Sequence, residues 1–191
     1  MKKRFILVFD LVLLVLLSLT GLLPAQDAAT PNTKSATKKK ERASPHEEVS
    51  AVINGKKITV SYGRPYKKGR VIFGGLEPWG KVWRTGADEA TTITTESDLM
   101  VGPLHVVAGT YSLFTIPNEK EWTLVLNKVA RQWGAFKYDQ AMDYGRAAMK
   151  VAKAASPVEQ LTISLDKKGN DEVTLKIAWD ETVASIDVMV H

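Results

Sequence analysis

The sequence predicts an all-β fold: a single antiparallel sandwich or barrel-like domain of about 7–9 strands. Short apolar segments alternate with period two from residue 47 onward, which indicates half-buried strands. Turn-forming pairs such as Asn54-Gly55 and Pro117-Asn118 separate these segments at short intervals. The chain contains no cysteine, so the stability of the fold has to come from its hydrophobic core and not from disulfides.

Residues 47–63 are predicted to form a β-hairpin with Asn54-Gly55 as a two-residue turn. The register set by this turn matches apolar with apolar and polar with polar residues, as an antiparallel pair with one buried face requires. The expected pairs are Ala51 with Ile58, Val49 with Val60, Ser50 with Thr59 and Glu48 with Ser61.

Further strands follow from alternation and turn signals. They are Ala90–Thr95, Met100–Val107, Thr110–Ile116, Trp122–Asn127, Leu161–Leu165, Val173–Trp179 and Val183–Val190. Gly102-Pro103 marks an edge or a bulge within the second of them. Residues 145–155 are rich in alanine and fit either a helix by propensity or a weak strand, and we favour the strand.

Residues 1–25 are predicted to be a signal peptide, because Lys2, Lys3 and Arg4 precede an apolar stretch and Ala25 offers a cleavage point. An uncleaved membrane anchor is the alternative. It is disfavoured by Asp10, since a carboxylate within a membrane helix costs about 2.5–3.5 kcal/mol. We therefore expect an exported protein, periplasmic or extracellular, with no membrane span after signal cleavage.

Residues 26–43 are predicted to be a disordered basic linker, and residues 44–191 to be the β-sandwich domain. The formal net charge of the chain is +5, and residues 1–43 account for all of it with eight Lys or Arg and three Asp or Glu. The remaining 18 basic and 18 acidic residues leave the domain formally neutral. A nucleic-acid partner is therefore not expected.

The most informative segment is residues 63–89, which holds six of the thirteen glycines and no long alternation. Between Gly63 and Gly86 it has six basic residues and one acidic residue, Glu77. A long loop with this charge and many aromatic residues is typical of a binding site, in which guanidinium groups recognise a carboxylate, phosphate or sulfate. The predicted ligand-binding residues are Tyr62, Arg64, Arg70, Trp79, Trp83, Arg84 and Glu89.

The alternative is that these arginines pair internally, for example with Asp88 and Glu89, and that the tryptophans are core residues. Catalytic use of Asp88 and Glu89 as a pair is disfavoured, because adjacent residues of an extended chain point to opposite faces. No metal and no cofactor are expected. The three histidines are far apart, and no dinucleotide or P-loop fingerprint is present.

A set of short motifs is distributed over nearly the whole folded domain. They are Val60-Ser61-Tyr62-Gly63-Arg64-Pro65, Gly69-Arg70, Pro78-Trp79-Gly80, Val82-Trp83-Arg84-Thr85-Gly86-Ala87, Glu89-Ala90-Thr91, Ala108-Gly109-Thr110-Tyr111-Ser112-Leu113, Trp122-Thr123 and Trp133-Gly134. With these motifs the chain resembles the exported bacterial family known as domain of unknown function 2911. The resemblance implies export and a β domain, and it implies no mechanism.

The sequence thus predicts an exported, non-catalytic β-sandwich binding module for an anionic small molecule or a carbohydrate-like ligand. Two alternatives stay open. One is a periplasmic hydrolase or isomerase using Glu89 and Arg84, and the other is a structural envelope protein that binds another protein.

Overall fold

A computed structural model of the protein describes residues 43–190, and these form an all-β domain. The predicted signal peptide and all of the predicted linker except Ala43 lie outside the described residues. The nine strands are β1 (His46–Ile53), β2 (Lys56–Gly63), β3 (Thr92–Thr95), β4 (Leu99–Val101), β5 (Leu104–Val106), β6 (Gly109–Ile116), β7 (Glu121–Asn127), β8 (Asp143–Lys167) and β9 (Glu172–Val190). A single 3-10 turn, Gln140–Met142, precedes β8.

All nine strands belong to one antiparallel sheet in the order β1-β2-β3-β6-β7-β8-β9-β4-β5. The sheet is open, with β1 and β5 at its edges, yet it curves so far that β1 lies against β8 and β9. This sandwich-like arrangement confirms the predicted fold class. Among residues 43–190, no helix is long and apolar enough to cross a membrane.

The first hairpin has the predicted register. Val49 pairs with Val60 and Ala51 with Ile58, while Ser50 pairs with Thr59 on the opposite face. The turn residues Asn54 and Gly55 have φ angles of 48° and 72°, the conformation that a two-residue turn of this kind requires.

Several predicted strands have different bounds in the structure. The segment predicted as Met100–Val107 is a small hairpin of β4 and β5, because Gly102 adopts a φ of 55° and Pro103 has no N–H to donate to a ladder. Residues 145–155 are extended, as favoured, but they form the first half of the 25-residue strand β8.

The hairpin of β8 and β9 is long and bent. Its register shifts between Lys153 and Val158 and again before Thr162, and such shifts bend a strand. In β9, Asp180 has a φ of 54°, and beyond it the strand folds back until the N–H of Val190 donates to the carbonyl of Asp171 at 3.0 Å. The two predicted strands 173–179 and 183–190 are therefore the two arms of one strand.

The curved sheet encloses one main core. Its largest fully buried side chains include Trp122, Trp179, Tyr62, Ile53, Ile58, Leu113 and Leu124. A smaller apolar cluster lies on the other face of β6 and β7, where Phe114 and Val125 contact Ala135 and Tyr138 of the following loop. Both faces of these central strands are therefore covered.

Gly63, at the end of β2, allows two backbone segments to touch. A Cβ added there would lie 2.3 Å from the carbonyl oxygen of Ala87. We expect Gly63→Ala to lower the free energy of unfolding by about 1–3 kcal/mol, because the backbone must move apart to admit a methyl group. Urea denaturation measures the effect.

The control for this variant is Gly169→Ala, whose added methyl group would meet only the flexible carboxylate of Asp171 at 3.7 Å. We expect a change within about 0.5 kcal/mol there. Equal stability of the two variants would contradict the close packing at Gly63.

Candidate functional site

The segment that joins β2 to β3, residues 64–91, is anchored to the sheet by backbone hydrogen bonds at several places. Near its start, the N–H of Leu161 in β8 donates to the carbonyl of Pro65 at 3.0 Å. Later, Trp83 and Thr115 of β6 exchange two backbone hydrogen bonds of 2.8 and 3.0 Å. We call residues 64–91 the β2–β3 segment.

Aromatic packing holds the middle of this segment on the sheet. The ring of Phe73 lies 4.7 Å from Trp122, 5.7 Å from Trp83 and 6.3 Å from Trp179, edge to face in each case. Trp79 stacks on the outer side of Phe73 at 6.2 Å. Aromatic pairs at these distances add to the free energy of apolar burial, so Phe73 fixes the segment above Trp179.

The turn after Trp83 has an unusual backbone. Thr85 and Asp88 have φ angles of 57° and 63°, and this region is rare for a β-branched residue. The hydroxyl of Thr85 hydrogen-bonds that of Thr115 at 3.0 Å, and its carbonyl accepts from the hydroxyl of Thr91 at 2.9 Å. Strain of about 1–3 kcal/mol persists only where the surrounding structure fixes it, and these bonds place the turn beside a cavity.

The cavity is open to solvent and has a volume of about 470 Å³. Trp179, buried in the core, contributes to its wall, and the turn with Arg84 and Asp88 contributes another part. Its lining is Ala43, Ser44, Pro65, Tyr66, Lys68, Arg70, Leu76, Glu77, Arg84, Gly86, Ala87, Asp88 and Trp179.

Three of the lining residues are cationic and two are carboxyls. The guanidinium group of Arg70 donates to the carbonyl of Lys67 at 2.9 Å and also to that of Tyr66, and these bonds orient it without neutralising its charge. The Nε of Arg84 is buried and has no hydrogen-bond partner within residues 43–190. Nε1 of Trp179 is likewise buried without a partner in this part of the chain. Two of the lining residues therefore carry a buried donor that the described protein leaves unsatisfied.

Glu77 is one of two partly buried carboxyls in the lining of the cavity. Burial raises the pKa of Glu77 to about 7, and the Arg84 and Arg70 guanidinium groups oppose this rise. The side chain therefore exchanges its proton near neutral pH, and in its protonated form it can donate a hydrogen bond.

The structure brings only some of the predicted site residues to the cavity. Arg70 and Arg84 line it. Arg64 is bound internally: it forms an ion pair with Glu47, and it donates to the carbonyl of Leu161 at 2.9 Å and to the hydroxyl of Thr162 at 3.0 Å. Its guanidinium group ties β1 to β8 and is not directed at the cavity.

The aromatic site residues also lie elsewhere. Tyr62 is fully buried, and its hydroxyl accepts a hydrogen bond from the N–H of Ile163 at 2.9 Å. Trp83 is in the core and stacks on Trp179 at 5.9 Å. Trp79 is 38% exposed beside Phe73, and Glu89 pairs through its backbone with Trp133.

Sequence reasoning did not assign Glu77 or Trp179 to the site. Glu77 is visible in the sequence as the single acid within a basic segment, but its burial depends on the fold. Trp179 alternates in phase with apolar residues of β9, which correctly indicates the core and hides its second role in the cavity wall. Among residues 43–190, no group of three or more His, Asp or Glu is placed to hold a metal ion.

Comparison with known proteins gives one match. The sequence profile of a family described as a protein of unknown function (DUF2911) matches residues 44–188. No curated protein and no solved structure matches the chain. The matched residues include the whole β2–β3 segment and all of the cavity lining except Ala43.

The pKa of Glu77 predicts a pH-dependent stability. Because the folded state holds this proton more tightly than the unfolded chain, the free energy of unfolding falls as the pH rises from the usual value of 4.5 to about 7. Glu77→Gln removes this loss. We expect equal stability of variant and wild type near pH 4, and a variant more stable by about 1–3 kcal/mol at pH 8.

Urea denaturation at the two pH values measures the difference. Glu119→Gln, at an exposed position outside the cavity, controls for the loss of one acidic side chain. If Glu77→Gln is less stable than the wild type at pH 8, the conclusion that burial raises the pKa of Glu77 is wrong.

Proposed function

We propose that this chain, which belongs to the DUF2911 family of proteins of unknown function, is a non-catalytic binding module for a small anionic or carbohydrate-like ligand. One observation carries the proposal: Lys68, Arg70 and Arg84 are among the residues that line an open cavity of about 470 Å³. Small-molecule sites commonly have volumes of roughly 300–1,000 Å³ and combine apolar walls with a few polar groups.

The charges of the cavity favour an anion of modest size. With Glu77 and Asp88 both ionised, the three cations exceed the carboxyls by one, and protonation of Glu77 raises the excess to two. An anionic ligand therefore favours protonated Glu77, which can then donate to a ligand oxygen. Because the domain as a whole is formally neutral, this local excess suits one carboxylate or phosphate group bound within the cavity.

The uncharged part of the lining suits a ligand with a flat apolar face. Tyr66, which is 38% exposed, contributes aromatic surface, and Leu76 and Pro65 contribute aliphatic surface. A sugar acid combines both requirements, since its carboxylate can pair with a guanidinium group while the C–H face of its ring packs on an aromatic side chain.

A hydrolase or isomerase is the second candidate, and one observation favours it. Glu77, with a pKa of about 7, shares the cavity with Arg84 and Asp88. A carboxyl that titrates near the working pH is suited to general acid–base catalysis. In this version Glu77 takes the role first assigned to Glu89.

We further propose that the module acts outside the cytoplasm, because residues 1–25 have the composition of a signal peptide. Expression of the full chain in a Gram-negative host should give a periplasmic product whose first residue is Gln26, as determined by intact-mass measurement. A product that retains Met1 in the cytoplasm would overturn the proposal of export.

Ligand binding can be tested by calorimetric titration with D-galacturonate, inorganic phosphate and the neutral sugar D-galactose. We expect the wild type to bind D-galacturonate at least about tenfold more tightly than D-galactose, since the neutral sugar lacks the charge that pairs with Arg84. Arg84→Gln should weaken D-galacturonate binding by about tenfold or more.

The matched control is Lys81→Gln. Lys81 is exposed and lies three residues from Arg84, but it does not line the cavity, so this variant should bind as the wild type does. An equal loss of D-galacturonate affinity in both variants would show that only the net charge matters. A wild type that binds neither D-galacturonate nor phosphate would overturn the binding proposal. NMR can detect conversion of the sugar acid to a product. Conversion by the wild type that is lost in Glu77→Gln would support the hydrolase or isomerase instead.

A further inference from the structure

The loop between β7 and β8 exposes two large aromatic side chains. Trp133 is 59% exposed and Phe136 is 85% exposed. Neither is needed to fill the apolar cluster below, which Phe114, Val125 and Tyr138 form with smaller residues. We call Trp133 and Phe136 the aromatic platform.

The loop that bears the platform is held in place at several points. Its backbone bonds the β2–β3 segment twice, from the N–H of Ala90 to the carbonyl of Gln132 and from the N–H of Gly134 to the carbonyl of Asp88, both at 3.0 Å. Tyr138 packs on Phe114 at 5.1 Å and donates to Asp143 at 2.8 Å. A loop backbone that is already fixed before a ligand binds loses little conformational freedom on binding.

The loop also touches the wall of the cavity. Asp88, whose carbonyl holds Gly134, is a lining residue. A Cβ placed on Gly134 would lie 3.0 Å from the ring of Phe136 and 3.9 Å from Cδ of Arg84. Gly134 therefore lies between the ring of Phe136 and the side chain of Arg84.

The charge around the platform matches that of the cavity. The loop between β7 and β8, residues 128–142, carries three basic residues, Lys128, Arg131 and Lys137, and one acidic residue, Asp139, all of them exposed. A ligand that extends from the cavity past Asp88 and over this loop would therefore meet a loop with a net positive charge.

We propose that the aromatic platform is a second subsite for an acidic oligosaccharide. One sugar carboxylate of the ligand binds in the cavity, and a neighbouring sugar ring stacks on Trp133 and Phe136. The inference rests on the proposed function, because the cavity supplies the first subsite. It adds the ligand's class: a chain of sugar acids and not a single one. Flat aromatic faces suit the C–H faces of sugar rings, and the flanking cations suit the carboxylates of further residues.

Calorimetric titration with D-galacturonate and with trigalacturonate tests this inference on the full domain. The wild type should bind the trisaccharide about tenfold or more tighter than the monosaccharide. In the double variant Trp133→Ala/Phe136→Ala, trisaccharide affinity should fall to the monosaccharide level, while monosaccharide affinity stays unchanged. Met189→Ala, at an exposed apolar position on β9, should change neither value.

The outcomes separate the two proposals. If the double variant keeps full trisaccharide affinity while Arg84→Gln loses both ligands, the platform is overturned and the cavity stands. If the wild type binds neither ligand, both are overturned. A further outcome is that sedimentation analysis shows a dimer for the wild type and a monomer for the double variant, with unchanged trisaccharide affinity. That result would assign the platform to a protein interface and overturn the subsite. Thermal unfolding of each variant verifies that the exposed substitutions leave the fold intact.

Discussion

The architecture around the cavity depends on the insertion of Phe73 among tryptophans that come from distant parts of the chain. Backbone hydrogen bonds fasten the β2–β3 segment to the sheet at several points. The packing of Phe73 against Trp122 of β7 and Trp179 of β9 fixes the middle of the segment. Once Phe73 is placed, Leu76 and Glu77 and the residues that follow the strained Thr85 line the same cavity. Aromatic packing thus determines where the charged groups meet, although none of the aromatic rings carries charge.

The basic residues of the β2–β3 segment divide into two groups according to their partners. Arg64 stabilises the fold, because a carboxylate of β1 and acceptors of β8 satisfy its guanidinium group. Arg70 and Arg84 remain on an open wall, where a partly buried acid with a pKa near 7 partly offsets their charge. Of the arginines that lie close together in sequence, the first therefore stabilises the fold, and the later two remain available for a ligand.

Much of the fold follows from local patterns, whereas the site depends on contacts that local patterns do not contain. The Asn54-Gly55 turn and the alternation around Val60 were sufficient to predict the register of the first hairpin, because turn geometry and burial act over a few residues. The continuity of β9 across Asp180 was not predictable, since its bend is stabilised by contacts between residues far apart. The division of the arginines was missed for the same reason: Leu161 and Thr162 lie almost one hundred residues from Arg64.

The bent hairpin of β8 and β9 has a consequence for how the domain comes apart. The first half of β8 pairs with β7, and the second half of β8 carries the residues that bond Tyr62 and Arg64. The end of β9 pairs with β4. Loss of this one element would release the middle of the sheet and both of its flanks at once. Partial melting of a single region is therefore disfavoured, and the protein should exchange its core amides in one cooperative step, with the loops as the regions that tolerate insertion during evolution.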